Sequence, residues 1–187
     1  MPVEHAVIIG AGIAGLTVAL SLSRRGISSE IFEQADELTE VGAGLQLSPN
    51  ASHILADLGI LDELSRIWLE PESIRLISGS SLRQLAAVPA GKFARQRWDA
   101  PYGVLHRTTL QKTLLAAVEA DPLCRLRLGM RLEAGPPPSE RPADVVIGAD
   151  GVWSKLRQSI AGSPSPRFSG NIALKTIEGT ARAAILK

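Results

Sequence analysis

The stretch VIIGAGIAG near the N-terminus constrains the fold more than any other feature of the sequence. Gly10, Gly12 and Gly15 have the spacing G-x-G-x-x-G. An apolar, β-branched run at residues 4–9 precedes them, and apolar residues at helical spacing follow at residues 13–25. Because the switch from strand-like to helix-like patterning occurs within these glycines, they predict a tight turn between a buried strand and a helix. Such a turn opens a βαβ unit, and it favours an α/β fold with a parallel sheet.

Each glycine of this pattern has a separate task when the turn binds a nucleotide. The first allows the tight turn, the second lets the backbone approach a pyrophosphate, and the third lets helix and strand pack closely. The next predicted strand, at residues 29–32, ends at Glu33, 18 residues after Gly15. A carboxylate there accepts hydrogen bonds from a ribose 2′-hydroxyl and repels a 2′-phosphate. The pattern therefore favours the adenosine of FAD or NAD over NADP, with a glycine-rich turn that binds no ligand as the structural alternative.

A second strand-to-glycine turn occurs more than one hundred residues later. The segment DVVIGADG predicts a strand at residues 145–147 that runs into Asp150 and Gly151. At the carboxyl edge of the same sheet, this turn gives a dinucleotide a second point of backbone approach. Asp-Gly also favours turns whatever the function, so these residues alone leave both interpretations open. Arg107, in LHRTTL, lies between a predicted strand end and a helix start, where it is either a phosphate contact or a surface arginine.

Composition narrows the class of partner. Twenty Lys and Arg against 19 Asp and Glu give a formal net charge of +1, so no global field attracts nucleic acid or an acidic membrane, and we expect a small-molecule partner. The single cysteine cannot form an internal disulfide, and the three histidines show no metal-ligand spacing. We therefore expect no metal and a cytoplasmic protein. We also expect no integral membrane segment, because three glycines interrupt the apolar N-terminal run.

Local patterns predict most other elements. We expect a glycine-rich loop in EVGAGLQLSPN, residues 40–50, and a helix that Ser48 and Pro49 begin as N-cap and first residue. The further predictions are a β-hairpin of residues 73–77 with 82–88, a loop over 91–101, a strand at 102–105, a helix at 108–120, a strand at 123–128, an exposed loop at 134–143 and another strand after 168. The three tryptophans are interpreted as packing residues.

Four motifs together resemble one family. VIIGAGIAGL with IFE, EVGAGLQLSPNA with LGI, LHRTTLQKTLL and DVVIGADGVWSKLR occur in the order and approximate spacing of the class A flavoprotein monooxygenases, the salicylate hydroxylase and para-hydroxybenzoate hydroxylase group. The resemblance covers residues 3 to about 170. It implies a Rossmann-like FAD-binding domain with a mainly parallel sheet over residues 1–162, interrupted by a hairpin and loop insertion at 71–100. It also implies that residues 163–187 begin a truncated substrate-binding domain.

The resemblance further implies FAD as cofactor, NAD(P)H as co-substrate and a small aromatic substrate that receives one oxygen atom from O₂. The glycine turn and Glu33 would bind the ADP half of FAD, with Gln34 beside the ribose, and the segment matching Gly42 to Gln46 would run near the flavin. The implied cofactor-binding residues are Gly10, Gly12, Ile13, Ala14, Gly15, Glu33, Gln34, Gly44, Arg107, Asp150 and Gly151. No residue is assigned as catalytic.

Two other functions stay open. One is an NAD-binding dehydrogenase domain, which the Arg107 and Asp150 motifs argue against. The other is a non-catalytic remnant that associates through exposed apolar surface, so a homo-oligomer remains among the expected partners. Family members are about twice as long, and their later Gly-Asp motif has no match in these residues. We therefore expect the fold of an FAD-binding half and do not take full hydroxylase activity as implied.

Overall fold

The computed structural model describes residues 2–39, 44–132, 139 and 141–170. In chain order the strands and helices are β1 His5–Ile9, α1 Ile13–Ser23, β2 Ser28–Phe32, β3 Gly44–Leu47, α2 Pro49–Asp57, α3 Leu61–Ser65, β4 Ser73–Ile77, β5 Gln84–Pro89, α4 Lys92–Trp98, β6 Gly103–His106, α5 Arg107–Ala120, β7 Cys124–Arg127, β8 Val145–Gly148 and α6 Lys155–Gln158. The described residues divide into two compact units, one that includes residues 2–39 and most of 110–170 and one that includes residues 44–109.

The first unit contains a four-stranded sheet in the order β7-β2-β1-β8, and every pair of neighbours is parallel. Ala6, Val7 and Ile8 in the central strand β1 are fully buried, which explains their unbroken apolar run. The chain crosses through α1 from β1 to β2 on one side, and β8 later joins β1 on the other. Strand order therefore reverses at β1, and open α/β sheets bind ligands at the carboxyl ends of the strands flanking such a point.

The second unit contains two small antiparallel sheets, β3 with β6 and β4 with β5. Gly103 begins β6 against the buried ring of Trp68. A Cβ at Gly103 would lie 2.2 Å from Trp68 Cε3, so this strand needs a glycine where the indole crosses it. The bridge between Leu69 and Val104 continues the contact on the next residues of both segments.

The predicted fold class is confirmed: the chain has an α/β fold with a parallel sheet and small antiparallel sheets. The βαβ unit, the β4–β5 hairpin and the helices beginning at Pro49 and Arg107 lie where the patterns predict them, within one or two residues. Most of the predicted loop at 134–143 and of the strand after 168 lies outside the described residues. The domain boundaries at 162 and 163, and the insertion at 71–100, stay predictions.

Two local predictions are wrong. The segment predicted as a loop over residues 91–101 contains helix α4, and the glycine-rich segment after residue 40 contains strand β3. Helix α4 is short, and Gly91 and Asp99, with φ of +51° and +50°, turn the chain at its two ends. Its Ala94 is fully buried, and tertiary packing of this kind stabilises a seven-residue helix whose own propensity is small. Strand β3 exists because β6 pairs with it, a partner that local sequence does not reveal.

Exposure separates the three tryptophans. Trp68 is buried, as the packing interpretation requires. Trp98 is 45% exposed and packs edge to face against Phe93, whereas Trp153 is 73% exposed and the packing interpretation is wrong for it. No helix within the described residues is both long enough and apolar enough to cross a membrane.

Candidate functional site

Packing within the protein requires glycine at the first and third positions of the N-terminal turn. Gly10 has φ +103°, and a Cβ there would lie 2.4 Å from the carbonyl oxygen of Ala149. A Cβ at Gly15 would lie 1.9 Å from the carbonyl oxygen of Gly10. Both clashes involve backbone atoms, which cannot rotate away as a side chain can. The close approach of β1, α1 and the turn after β8 therefore accounts for these two glycines without any ligand.

The second glycine, Gly12, differs from both. Its φ is −68° and its ψ 179°, a conformation open to every residue type. Apart from Gly12 itself and the adjoining backbone, no heavy atom of the described residues lies within 4 Å of the position that a Cβ would occupy. Gly12 is the N-cap of α1, and no side chain makes a capping hydrogen bond there. The space beside Gly12 and the uncapped first turn of α1 thus lie together at the carboxyl end of β1.

Helix α1 presents its N-terminus to that space. Its first backbone hydrogen bond runs from Leu16 N–H to the Gly12 carbonyl, so the preceding N–H groups, including those of Ile13 and Ala14, have no partner inside the helix. Such groups and the positive end of the helix dipole attract anions, phosphates above all. Ala14 is exposed and Ile13 half-buried, which leaves this first turn open to a ligand.

Glu33 holds the turn from the neighbouring strand. Its Oε2 accepts a hydrogen bond from Ala11 N–H at 2.8 Å, and its Oε1 accepts one from Ala35 N–H at 3.0 Å. An ionised carboxylate has about four acceptor positions, so two bonds fix its orientation and leave capacity for further donors. Gln34, next in the chain, is exposed.

The second predicted turn meets the first directly. Ala149 N–H donates to the Ile9 carbonyl at 2.7 Å, continuing the parallel pairing of β1 with β8, and Gly151 has φ +80°. These two turns, which the sequence places at one sheet edge, are therefore in contact within the first unit.

One carboxylate oxygen of Asp150 accepts structural hydrogen bonds, and the other can accept a further one. Its Oδ2 accepts from Lys155 N–H at 2.8 Å and from Leu156 N–H at 3.3 Å, which holds the start of α6. Its Oδ1 is buried and has no hydrogen-bond partner of good geometry among the described residues. Burial acts to raise the pKa of Asp150, but hydrogen bonds from the Ser154 side chain and nearby backbone N–H groups outweigh it and hold this pKa below its ordinary value.

Gly44 and Arg107 belong to the second unit and lie close to each other there. Gly44 opens β3 and pairs with His106, the last residue of β6, and Arg107 follows as the first residue of α5. The prediction that Arg107 lies between a strand end and a helix start is confirmed, and its side chain is exposed. Gly42, at the start of the segment expected near the flavin, lies outside the described residues.

Sequence reasoning missed two residues of the site. Ala11 supplies the N–H that binds Glu33, and Ala149 supplies the carbonyl that Gly10 accommodates. Both follow a glycine at a strand end, in GAG and GADG, so the repeated Gly-Ala pair was the available signal.

These groups are suited to binding a ligand. Backbone N–H groups and a helix N-terminus hold phosphate, and a fixed carboxylate holds hydroxyl groups. Within the part of the chain that the structure describes, no cluster of three or more His, Cys, Asp or Glu side chains could hold a metal ion.

Comparison with known proteins identifies this arrangement. Residues 4–136 match the family model described as an FAD binding domain. The chain is 34% identical over 185 residues to 3-hydroxybenzoate 6-hydroxylase 1 of Aquipseudomonas alcaligenes, covering 93% of this chain and 47% of that protein. It is 36% identical over 171 residues to 3-amino-4-hydroxybenzoate 2-monooxygenase of Streptomyces cremeus, covering 87% of this chain and 43% of that protein. The chain thus spans about half the length of the curated relatives it matches.

Solved structures agree with the sequence comparison. The tetrameric form of 2-methyl-3-hydroxypyridine-5-carboxylic acid oxygenase superposes with a TM-score of 0.71 at 25% identity, over 86% of this chain and 43% of that one. Klebsiella pneumoniae HpxO complexed with FAD and uric acid shares the fold, with a TM-score of 0.68 at 24% identity over 82% of this chain and 41% of that one. The chain belongs to the FAD-binding class A aromatic monooxygenase family.

Proposed function

We propose that this chain binds FAD at the turn formed by residues 10–15 and supplies the FAD-binding portion of a monooxygenase. The open position at Gly12 carries the proposal. Packing accounts for Gly10 and Gly15, but neither the conformation of Gly12 nor its surroundings requires a glycine. A missing Cβ there is useful when an atom from outside the chain approaches the backbone, as a pyrophosphate does in this motif.

The groups around Gly12 suit the ADP half of FAD. The N–H groups of Ile13, Ala14 and Gly15 would bind the pyrophosphate at the N-terminus of α1. Glu33, already oriented by two backbone bonds, would accept hydrogen bonds from the ribose hydroxyls, with Gln34 beside it. A 2′-phosphate in that position would meet the carboxylate charge, so we propose an adenosine without one at this turn.

The remaining cofactor contacts rest on the resemblance together with local geometry. Asp150 and Gly151 form the turn next to Gly10, and the buried Oδ1 of Asp150 is an acceptor with spare capacity. Gly44 and Arg107 are proposed as FAD contacts by resemblance, supported by their proximity at the β3–β6 sheet end. We assign no catalytic residue.

FAD, when bound, supplies the redox chemistry that NAD(P)H and O₂ require for ring hydroxylation. This chain's residues would fix the adenosine and the pyrophosphate and so position the rest of the cofactor. The two relatives are named for reactions on 3-hydroxybenzoate and 3-amino-4-hydroxybenzoate, which supports a small, electron-rich aromatic compound as the substrate proposed at the level of the family. Assembly into a homo-oligomer, as in the tetrameric form of the pyridine-carboxylate oxygenase, and a cytoplasmic location stay proposals.

Titration of the purified chain with FAD and, separately, with NAD tests the proposal. We expect saturable binding of FAD, followed by flavin fluorescence, and little heat from NAD in calorimetry. Gly12→Ala should bind FAD more weakly. Gly79→Ala is its matched control, because Gly79 also has open space around its Cβ position and lies in the β4–β5 turn; it should bind FAD as the natural chain does. Binding of NAD alone would favour the dehydrogenase alternative, and binding of neither would contradict the proposal and favour a non-catalytic remnant.

A further inference from the structure

Residues 91–99, which include helix α4, form a strap between two fixed points of the second unit. Before the strap, Ala90 N–H donates to the Glu72 carbonyl at 2.8 Å. After it, the Pro101 carbonyl accepts a hydrogen bond from the buried Ser52 hydroxyl at 2.8 Å. The chain is therefore held on both sides of the strap by bonds that do not involve the strap itself.

Little buried apolar surface holds the strap between these points. Gly91 and Asp99 turn the chain at its two ends, with φ of +51° and +50°. Between them Ala94 is fully buried, whereas Phe93 is 43% and Trp98 45% exposed. The two rings contact each other edge to face, so that contact belongs to the strap and moves with it. Because apolar stabilisation scales with buried area and a methyl group buries little, the strap needs polar contacts to stay in place.

Polar contacts join the strap to the rest of the second unit. Arg95 Nε donates to Glu70 Oε2 at 3.1 Å, and a terminal nitrogen of Arg95 donates to Glu70 Oε1 at 2.5 Å. A bidentate pair of this kind is the strong form of a guanidinium–carboxylate contact. The buried Trp68 fixes the carboxylate by donating Nε1–H to Oε1 at 3.2 Å. Near the other end of the strap, His53 Nε2–H donates to the Trp98 carbonyl at 2.8 Å.

A seven-residue helix has little stability of its own, and proteins open locally where few apolar contacts hold a segment. Hinge motions are absorbed by a few residues at the ends of elements. We propose that residues 91–99 open as one body, hinged at Gly91 and Asp99, and that the Glu70–Arg95 pair is the latch that keeps the strap closed. Opening would uncover the surface on which α4 packs. The strap lies in the second unit, and its opening does not depend on the FAD binding proposed at the nucleotide turn.

The latch should respond to acid. Hydrogen bonds from Arg95, together with its charge, lower the pKa of Glu70 and outweigh burial, which acts to raise it; the Trp68 bond lowers it further. A carboxylate with a lowered pKa contributes fully above its ordinary value of 4.5, and that contribution is lost as pH falls through the lowered pKa. A carbonyl only accepts, so His53 keeps its Nε2 hydrogen in the Trp98 contact whatever the other ring nitrogen carries. The other charged or titratable groups on these elements are Lys92, Arg97 and Asp99 on the strap and Arg66 and Glu72 on the chain flanking Glu70.

Hydrogen exchange of the folded chain at increasing urea concentrations tests whether the strap opens by itself. The amides of residues 95–98 lie in α4, and the Val104 amide, bonded to the Leu69 carbonyl at 2.8 Å, reports on the rest of the second unit. We expect the strap amides to exchange faster than Val104. Their protection should also be nearly independent of urea, because a local opening exposes little surface. Equal protection and equal urea dependence at both places would overturn the proposal.

Arg95→Gln tests the latch, and Arg97→Gln on the same helix is its matched control, since Arg97 is exposed and takes no part in the Glu70 contact. At neutral pH, Arg95→Gln should lower the protection of the strap amides about three- to tenfold, and Arg97→Gln should change it less than about twofold. Glu70→Gln should resemble Arg95→Gln, and the double variant should lose no more than either single variant, because both remove one interaction. Equal effects of Arg95→Gln and Arg97→Gln, or additive effects of the Glu70 and Arg95 substitutions, would overturn the assignment of the latch.

The same exchange measurements at acid pH complete the test. The difference between the natural chain and Arg95→Gln should disappear well below pH 4.5, because protonation of Glu70 releases the latch in the natural chain as well. Protection of the Val104 amide shows that the second unit is still folded at the pH used. A difference that persists unchanged while Val104 stays protected would contradict the acid release of the latch.

Discussion

The two glycines Gly12 and Gly15 should respond in opposite ways to the same substitution. Gly12→Ala adds a Cβ into open space at φ −68°, whereas Gly15→Ala adds one 1.9 Å from the Gly10 carbonyl oxygen. If the missing side chain at Gly12 makes room for a cofactor, the Gly12→Ala variant should keep the fold and lose affinity for FAD. The Gly15 variant should lose stability first, because the clash lies within the protein.

The structure sets the magnitudes. At Gly12, a Gly→Ala change at a compatible φ stabilises by about 0.4–1 kcal/mol through the unfolded state, while alanine is the poorer N-cap by a similar amount, so the net change should stay within about 1 kcal/mol. The new Cβ should cost the pyrophosphate at least one charge-assisted hydrogen bond, about 1.5–3 kcal/mol, or about 10- to 150-fold in FAD affinity. Gly15→Ala should cost about 2 kcal/mol or more in unfolding free energy, since backbone must move.

Urea unfolding followed by circular dichroism measures stability, and flavin fluorescence titration measures affinity. Gly79→Ala serves both assays as the control for a glycine with open space and no proposed ligand. FAD binding by Gly12→Ala as tight as that of the natural chain would refute the reasoning. So would a loss of stability at Gly12 as large as that at Gly15, because the glycine would then serve the fold.

Three further substitutions test other parts of the structure. Glu33→Gln leaves one acceptor oxygen where the structure uses two, so we expect a loss of about 1–3 kcal/mol in urea unfolding together with weaker FAD binding, and no change in the exposed control Glu37→Gln. Backbone hydrogen bonds from residues 4 and 5 lower the pKa of Asp144. The stability that ionised Asp144 contributes to the fold is therefore complete above pH about 5 and is lost as pH falls through the lowered pKa. The Tm difference between the natural chain and Asp144→Asn should narrow below pH 3.8, and a constant difference would contradict this. Gly103→Ala should lower Tm because its Cβ overlaps the Trp68 ring, and an unchanged Tm would show that the indole shifts freely.

Sequence patterns reached those parts of the fold where local chemistry determines structure. The glycine spacing predicted the βαβ unit because two of the glycines are sterically required there. Ser48 and Pro49 predicted the start of α2 because a serine before an N1 proline suits a helix N-terminus. The polar turn around Gly79 predicted the β4–β5 hairpin.

Patterns failed where a distant partner decides the outcome. Strand β3 forms because β6, more than fifty residues later, pairs with it. Helix α4 forms around a buried Ala94 and the contact between Phe93 and Trp98, neither of which a seven-residue sequence with three basic residues indicates. At the site, the sequence identified the glycines and Glu33 but could not show that Gly12, unlike Gly10 and Gly15, has open space beside it, since that depends on what surrounds each Cβ position.

The adjacency of β1 and β8 has a consequence for how the chain is made. Glu4 and Asp144, joined by a hydrogen bond, are 140 residues apart in sequence, and Ala149 forms one wall of the pocket into which Gly10 fits. Synthesis proceeds at roughly 5–20 residues per second, so the glycine turn is made well before Ala149. For several seconds after the N-terminal βαβ unit emerges, one side of β1 is uncovered, and the packing of Gly10 against Ala149 forms only when β8 docks.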